Sequence, residues 1–212
     1  MIAVCSAFKE AFIAVDLDGK RDFSMVDANC GHSEKLLPEI AKLLDKNGLS
    51  IKDNDEFAVV VGPGSFTGLR IGIALVKGLC AGLEKEAKVY PITSFELMAY
   101  TYIKHNKPRH DFICVINALS GKVFKCQFDL NGNKKGEEEL VLAGEVLNQS
   151  NVVGLEEENI CKELIKISSE DLLELALIKS KGKKALKASE IVPLYLRKSQ
   201  AEDDLERKRK KS

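Results

Sequence analysis

The stretch Phe57-Ala58-Val59-Val60-Val61, Gly62-Pro63-Gly64-Ser65-Phe66-Thr67-Gly68, Leu69-Arg70-Ile71-Gly72-Ile73-Ala74-Leu75-Val76-Lys77-Gly78-Leu79-Cys80-Ala81-Gly82-Leu83 decides the fold. Its first part is a short β-branched apolar run stopped by Gly-Pro, the mark of a strand buried on both faces. A glycine-rich turn follows, with Ser65 or Thr67 placed to cap what comes next. The last part is too long for a second buried strand and reads as a helix closed at Gly82 or just beyond. That helix is apolar nearly all the way round, with Arg70 and Lys77 its only charges. A helix with one side in water shows a wide polar stripe, so this one has to be covered on two sides, by its own fold or by a partner. Glycines four apart, Gly68/Gly72 and Gly78/Gly82, each cost about 1 kcal/mol relative to Ala inside a helix. They make sense where another helix backbone comes close.

The loop admits three chemical readings. A phosphate-binding P-loop needs Lys directly before Ser or Thr at the helix start, and Gly68-Leu69-Arg70 does not supply it. A nucleophile elbow needs Gly two residues before and after the serine, where Pro63 and Thr67 flank Ser65 instead. What remains is a tight strand-to-helix turn whose backbone amides can at most hold an anion.

Outward from this centre, Met1–Cys5 and Phe12–Leu17 read as strands, and Asp18-Gly19 turns the second into a third at Arg21–Met25. Leu36, Leu37, Ile40, Leu43 and Leu44 recur at helical spacing before the stop at Asn47-Gly48. Lys88–Ile92 is a strand, and Thr93-Ser94-Phe95-Glu96 has capping-box spacing for a helix to about Ile103. The polar loop His105–His110 reads as a boundary between two lobes, its histidines facing solvent. Beyond it strand, turn and strand recur at Asp111–Ile116, Asn117–Gly121 and Lys122–Phe128, echoing the opening. Asn131-Gly132-Asn133 is a turn, Val152-Val153-Gly154 a short apolar segment, and helical patterning runs from about Glu156 to Lys179. The expected division is 1–104, 105–197 and a charged, disordered tail 198–212.

Composition narrows the function. The 212 residues carry 32 Lys+Arg against 32 Asp+Glu, and this balance argues against a protein that holds nucleic acid by charge alone. Six cysteines are scattered with no CxxC pair, as expected of small buried hydrophobes in a reducing, cytoplasmic setting. The apolar run around residue 75 is interrupted by charges and glycines, so no membrane span is expected.

Gly62-Pro63-Gly64-Ser65-Phe66-Thr67-Gly68-Leu69-Arg70-Ile71-Gly72, with Lys77-Gly78-Leu79 behind it, resembles the signature of the bacterial TsaB (YeaZ) family. His32-Ser33 before Leu-Leu-Pro and the closing Pro193-Leu194-Tyr195-Leu196-Arg197 are similar to further family motifs. The resemblance implies an α/β, two-lobed actin-like ATPase (ASKHA, ribonuclease H-like) fold, here with a reduced second lobe. It implies a non-catalytic subunit of the complex that makes threonylcarbamoyladenosine at position 37 of tRNA. In that complex TsaD is the catalytic partner and TsaE an ATPase that joins them; a homodimer is the expectation when TsaD is absent. Two departures bear on chemistry. The family's Asp-Thr pair after the first strand is Cys5-Ser6 here, and Asn117 stands where the second turn usually has an acid.

From this follow the expected site residues. The partner surface is His32, Leu36 and Ile40 on one helix with Gly68, Leu69, Arg70, Gly72, Leu75, Val76 and Leu79 on the next. Gly62, Gly64, Ser65 and Thr67 form the loop motif. No catalytic residue, metal ligand or cofactor of its own is expected, ATP or ADP being placed at the boundary with TsaD, and tRNA is reached through the complex. The rival readings are an acyl-transfer or peptidase enzyme using Ser65, for which His32 would have to lie beside it, and a small-molecule kinase.

Overall fold

In the computed structural model, residues 1–17, 19–27, 32–182 and 185–196 are described. The expectations for Asp18, Gly31, Arg197 and the 198–212 tail lie outside the described residues, as does the side chain of His32. The chain opens with three strands, β1 (Ile2–Cys5), β2 (Glu10–Leu17) and β3 (Lys20–Asp27). Then come helix α1 (His32–Lys46), strand β4 (Glu56–Gly62), helix α2 (Phe66–Ala81), strand β5 (Lys88–Thr93) and helix α3 (Ser94–Asn106). The second half holds β6 (Phe112–Asn117), β7 (Lys122–Phe128), β8 (Glu139–Leu142), a one-turn helix α4 (Ala143–Val146), β9 (Val152–Leu155), β10 (Glu163–Ile165) and α5 (Ser169–Gly182).

One strand plan is used twice. The sheets run β3-β2-β1-β4-β5 and β8-β7-β6-β9-β10. In each, the first three strands pair antiparallel and the last two join in parallel. The echo heard in the sequence is therefore a duplication of topology. It is uneven: α1 and α2 cover one side of the first sheet, whereas among the described residues the matching side of the second has only α4 over Val115, Val123 and Val152.

Strand β4 is buried from Phe57 to Gly62 and feeds two cores by alternation. Phe57, Val59 and Val61 enter the layer beneath α1 and α2; Ala58 and Val60 enter the layer that holds α3 and α5. Helix α3 touches β4 and β5 of one sheet and β6 and β10 of the other, so it is buried nearly all round, from Phe95 to Tyr102. Its start is the expected capping box: Glu96 N donates to Thr93 Oγ1 (3.1 Å) and Thr93 N to Glu96 Oε2 (2.8 Å).

Three expectations are corrected. The helix foreseen from Glu156 begins at Ser169, where Ser168 Oγ accepts from Asp171 N; the residues before it form a turn and β10, paired with β9. The lobes do not part at one point near 105. Helix α5 packs on β1, β2 and β3, Leu186 pairs with Val89 of β5, and Leu194 N donates to Val61 O at 2.7 Å. His105 is no loop histidine: it ends α3, with Nε2 3.0 Å from Asp171 Oδ1 of α5.

Candidate functional site

The loop between β4 and α2 is built around the end of β1. Ser65 is the helix cap, its Oγ accepting from Gly68 N at 3.1 Å, while its own N–H donates to Ala7 O at 2.8 Å. Ser6, 1% exposed, donates its hydroxyl to Gly68 O at 2.7 Å. The amides of Ser65 and Gly68 are thus spent within the protein. A Cβ on Gly68 would run into the Ser6 carbonyl, one on Gly72 into the Ser6 hydroxyl, and one on Gly64 into the Ala7 carbonyl. Gly62, at φ +123°, sits under the carbonyl of Leu194. The glycines let α2 and its loop lie directly on the β1 turn. Beneath them Cys5 is fully buried, and burial pushes its thiol up to about 12, so it stays a neutral packing group.

This corrects the partner surface. Gly68 and Gly72 admit the chain's own Ser6 and not a partner's helix. Leu36, Ile40, Leu69 and Val76 are all 1% exposed; Leu36, Ile40 and Val76 fill the core beneath α1 and α2, and Leu69 joins the layer that holds α3 and α5. Leu75 and Leu79 are half-buried, and Thr67 and Arg70 are exposed. What α2 turns outward is Thr67, Arg70, Ala74, Gly78 and Ala81, and a Cβ on Gly78 meets open space. Helix α1, packed beside α2, exposes Leu37, Pro38 and Ala41.

At the start of this outward face stands a cluster no single motif announced. The rings of Phe66 and Tyr195 stack at 4.5 Å and 12°. Arg70 Nε donates to the Tyr195 hydroxyl at 2.8 Å, with its guanidinium carbon 5.9 and 5.7 Å from the two ring centres. The segment that brings Tyr195 here is the closing motif, held by Leu194 on Val61.

The second turn offers no carboxylate of its own either. Asn117 Oδ1 accepts from Leu119 N at 2.9 Å, closing a turn in which Leu119, Ser120 and Gly121 all have positive φ. Two adjacent glutamates of the β9–β10 connection reach the two turns. Glu157 Oε1 accepts from Lys9 N (3.0 Å) and Glu158 Oε2 from Asn117 N (2.9 Å), beside a cavity of about 200 Å³ lined by Phe8, Phe12, Ile165 and Ile167. Burial, with the Glu157 charge adding to it, pushes the Glu158 carboxyl up to about 7. Nothing in the sequence marked this pair. A larger cavity, about 930 Å³, lies between α3, α5 and the Asn131–Asn133 turn.

Two sheets of one strand order, with α3 packed between them, are the architecture of the actin-like fold. A family model described as TsaD, tRNA N6-adenosine threonylcarbamoyltransferase, matches residues 26–191. The chain is 30% identical over 152 residues to the tRNA threonylcarbamoyladenosine biosynthesis protein TsaB of Escherichia coli, and 27% identical over 127 residues to that of Haemophilus influenzae. These matches take in 70% and 60% of the chain and 64% and 52% of the relatives, so the chain spans between half and two thirds of their length. The solved structure of YeaZ from Pseudomonas aeruginosa shares the fold, with a TM-score of 0.77 at 22% identity over 92% of this chain and 98% of that one. The chain belongs to the TsaB (YeaZ) family. No described helix is long and apolar enough to cross a membrane.

Proposed function

We propose that this chain is a non-catalytic subunit in the synthesis of threonylcarbamoyladenosine on tRNA, acting by docking TsaD on the outward faces of α2 and α1. The observation that carries the reading is the fate of the first turn. Where the family has an acid and a hydroxyl residue, this chain has Cys5, a buried neutral thiol, and Ser6, whose hydroxyl is bound to the α2 backbone. That turn supports the helix. The surface α2 then presents is small and apolar (Ala74, Gly78, Ala81), which lets another helix come close. An interface of ordinary size takes roughly 800 Å² from each partner. ATP or ADP belongs, in this reading, at the boundary with TsaD, and TsaE and tRNA join the assembled pair. A second copy occupies the same face when TsaD is missing.

The test is to mix the purified chain with TsaD and follow co-elution, then to assay tRNA modification with and without the chain. Co-elution and a requirement for the chain are expected. Failure to co-elute, or full modification without it, overturns the reading. The hydrolase rival has Ser65 spent as a helix cap, and its second member, the His32 side chain, lies outside the described residues.

A further inference from the structure

We infer that Arg70 fixes the orientation of the docked partner by taking one of its carboxylates on a guanidinium that Phe66 and Tyr195 hold in place; this rests on the docking reading above. Arginine side chains on a helix surface ordinarily sample many rotamers, and ordering one on binding costs affinity. Arg70 is already ordered. Its Nε is bound to the Tyr195 hydroxyl, and its plane lies near two stacked rings. That leaves the terminal nitrogens, the edge that matches a carboxylate in a two-point contact, without an acidic partner among the described residues. The chain does not provide one nearby on the same element: α2 has no acidic residue, only Arg70 and Lys77. The helix face is therefore purely cationic where it is charged, and a complementary partner is acidic there.

Geometry favours a helix of a protein over RNA as the source of that acid. Thr67, Arg70, Ala74 and Gly78 follow one another at three- and four-residue steps along one face of α2. Below the arginine the side chains shrink to a methyl group and a hydrogen, so a second helix can lie close while its carboxylate reaches the fork. Phe66 and Tyr195 stack on each other, which removes the inner ring faces that bases would need. Arginine and tyrosine are also the residue types that dominate interface energetics. Phe66 and Tyr195 are positioning residues in this scheme.

The experiment measures TsaD affinity, melting temperature and tRNA affinity for wild type, Arg70→Glu, Arg70→Lys and Tyr195→Phe. Arg70→Glu is expected to weaken TsaD binding at least about 30-fold, as loss of a paired interfacial charge does. Arg70→Lys keeps the charge and loses the fork, and Tyr195→Phe keeps the ring and loses the anchor; each should weaken binding by about 3- to 10-fold. Melting temperatures should stay near wild type, because Arg70 is exposed. Replacing single acidic residues of TsaD by Arg should restore binding of Arg70→Glu at one position. If wild type binds and Arg70→Glu binds equally well, the inference falls while the docking reading stands. If wild type does not bind, the docking reading has failed first. Loss of tRNA affinity alone, or loss of a homodimer alone, would also overturn the assignment to a TsaD carboxylate.

Discussion

Gly68→Ala and Gly78→Ala make the same chemical change ten residues apart on α2, and the structure demands opposite outcomes. At Gly78 the added methyl meets open space, so the change only removes backbone freedom from the unfolded chain and exposed backbone from the helix. A gain of about 1 kcal/mol is expected, the usual Gly-to-Ala difference in a helix interior. At Gly68 the methyl would overlap the Ser6 carbonyl, a backbone atom that no rotamer change can move aside. The first turn of α2 must lift off β1, which overpacks the junction at about 1–3 kcal/mol. Lifting it also strains the Ser6 hydroxyl bond to Gly68 O, whose buried partners each cost about 1–3 kcal/mol if left unpaired. Even after the propensity gain, a net loss of roughly 1–5 kcal/mol remains with one of those partners left unpaired. For a chain of this size 1 kcal/mol moves the melting temperature by roughly 2–4 °C. Gly78→Ala should therefore melt higher by a few degrees and Gly68→Ala lower by several. Scanning calorimetry or urea titration at one pH decides it. Should both variants shift upward, or should Gly68→Ala be neutral, the close approach of α2 to the β1 turn is refuted, and with it the inward placement of the signature glycines.

Two further outcomes can be checked with the same apparatus. Glu158 has its folded pKa raised from 4.5 to about 7, so the native state binds this proton more tightly than the unfolded one. Its contribution is full below about pH 4.5 and is lost as pH rises through 7. Glu158→Gln keeps an acceptor for Asn117 N and removes the titration. With the group half-buried and partly screened, the stability difference between pH 5.5 and pH 8 should narrow by about 1 kcal/mol relative to wild type, and an unchanged pH profile would show that Glu158 titrates normally. Ser65→Ala deletes a helix cap and should cost about 1 kcal/mol while leaving TsaD-dependent tRNA modification intact; loss of modification at unchanged stability would return Ser65 to the catalytic candidates.

How much of this was legible beforehand follows from what each signal depends on. The strand before the loop, its serine cap, the closing glycine and the Thr93–Glu96 box are local, written in neighbouring residues, and each stands where the pattern puts it. The double burial of β4 was legible because a run with no polar alternation has no face to give to water. Strands β8 and β10 are only four and three residues long and owe their form to β7 and β9, so no periodicity betrayed them. The contact surface was misread for a different reason. A helical wheel gives the angles between side chains but not which of two apolar faces the sheet takes. Small residues lie on both sides of α2, and only the position of Ser6, sixty residues earlier, assigns Gly68 and Gly72 to the inside. Leu36 and Ile40 lost their outward role for the same reason: α1 packs by its strongest apolar stripe, leaving Leu37 exposed. The cross-turn reach of Glu157 and Glu158 had no sequence mark, since an acidic run after a strand reads as a solvated turn.

The return of the C-terminal segment to the first sheet has a consequence for how the chain is made. Val61 waits for Leu194, Val89 for Leu186, and the α5 side of β1, β2 and β3 for residues beyond 168. Contacts this far apart in sequence form late and slowly. During synthesis the opening strands leave the ribosome well before their cover exists, with apolar surface open on the side that α5 will occupy. We expect nascent chains ending before residue 169 to be held by chaperones or degraded, and the signature loop to set firmly only after Leu194 has been added. A ribosome-stalled series probed by limited proteolysis should show protection of the Gly62–Gly68 region arriving in one late step.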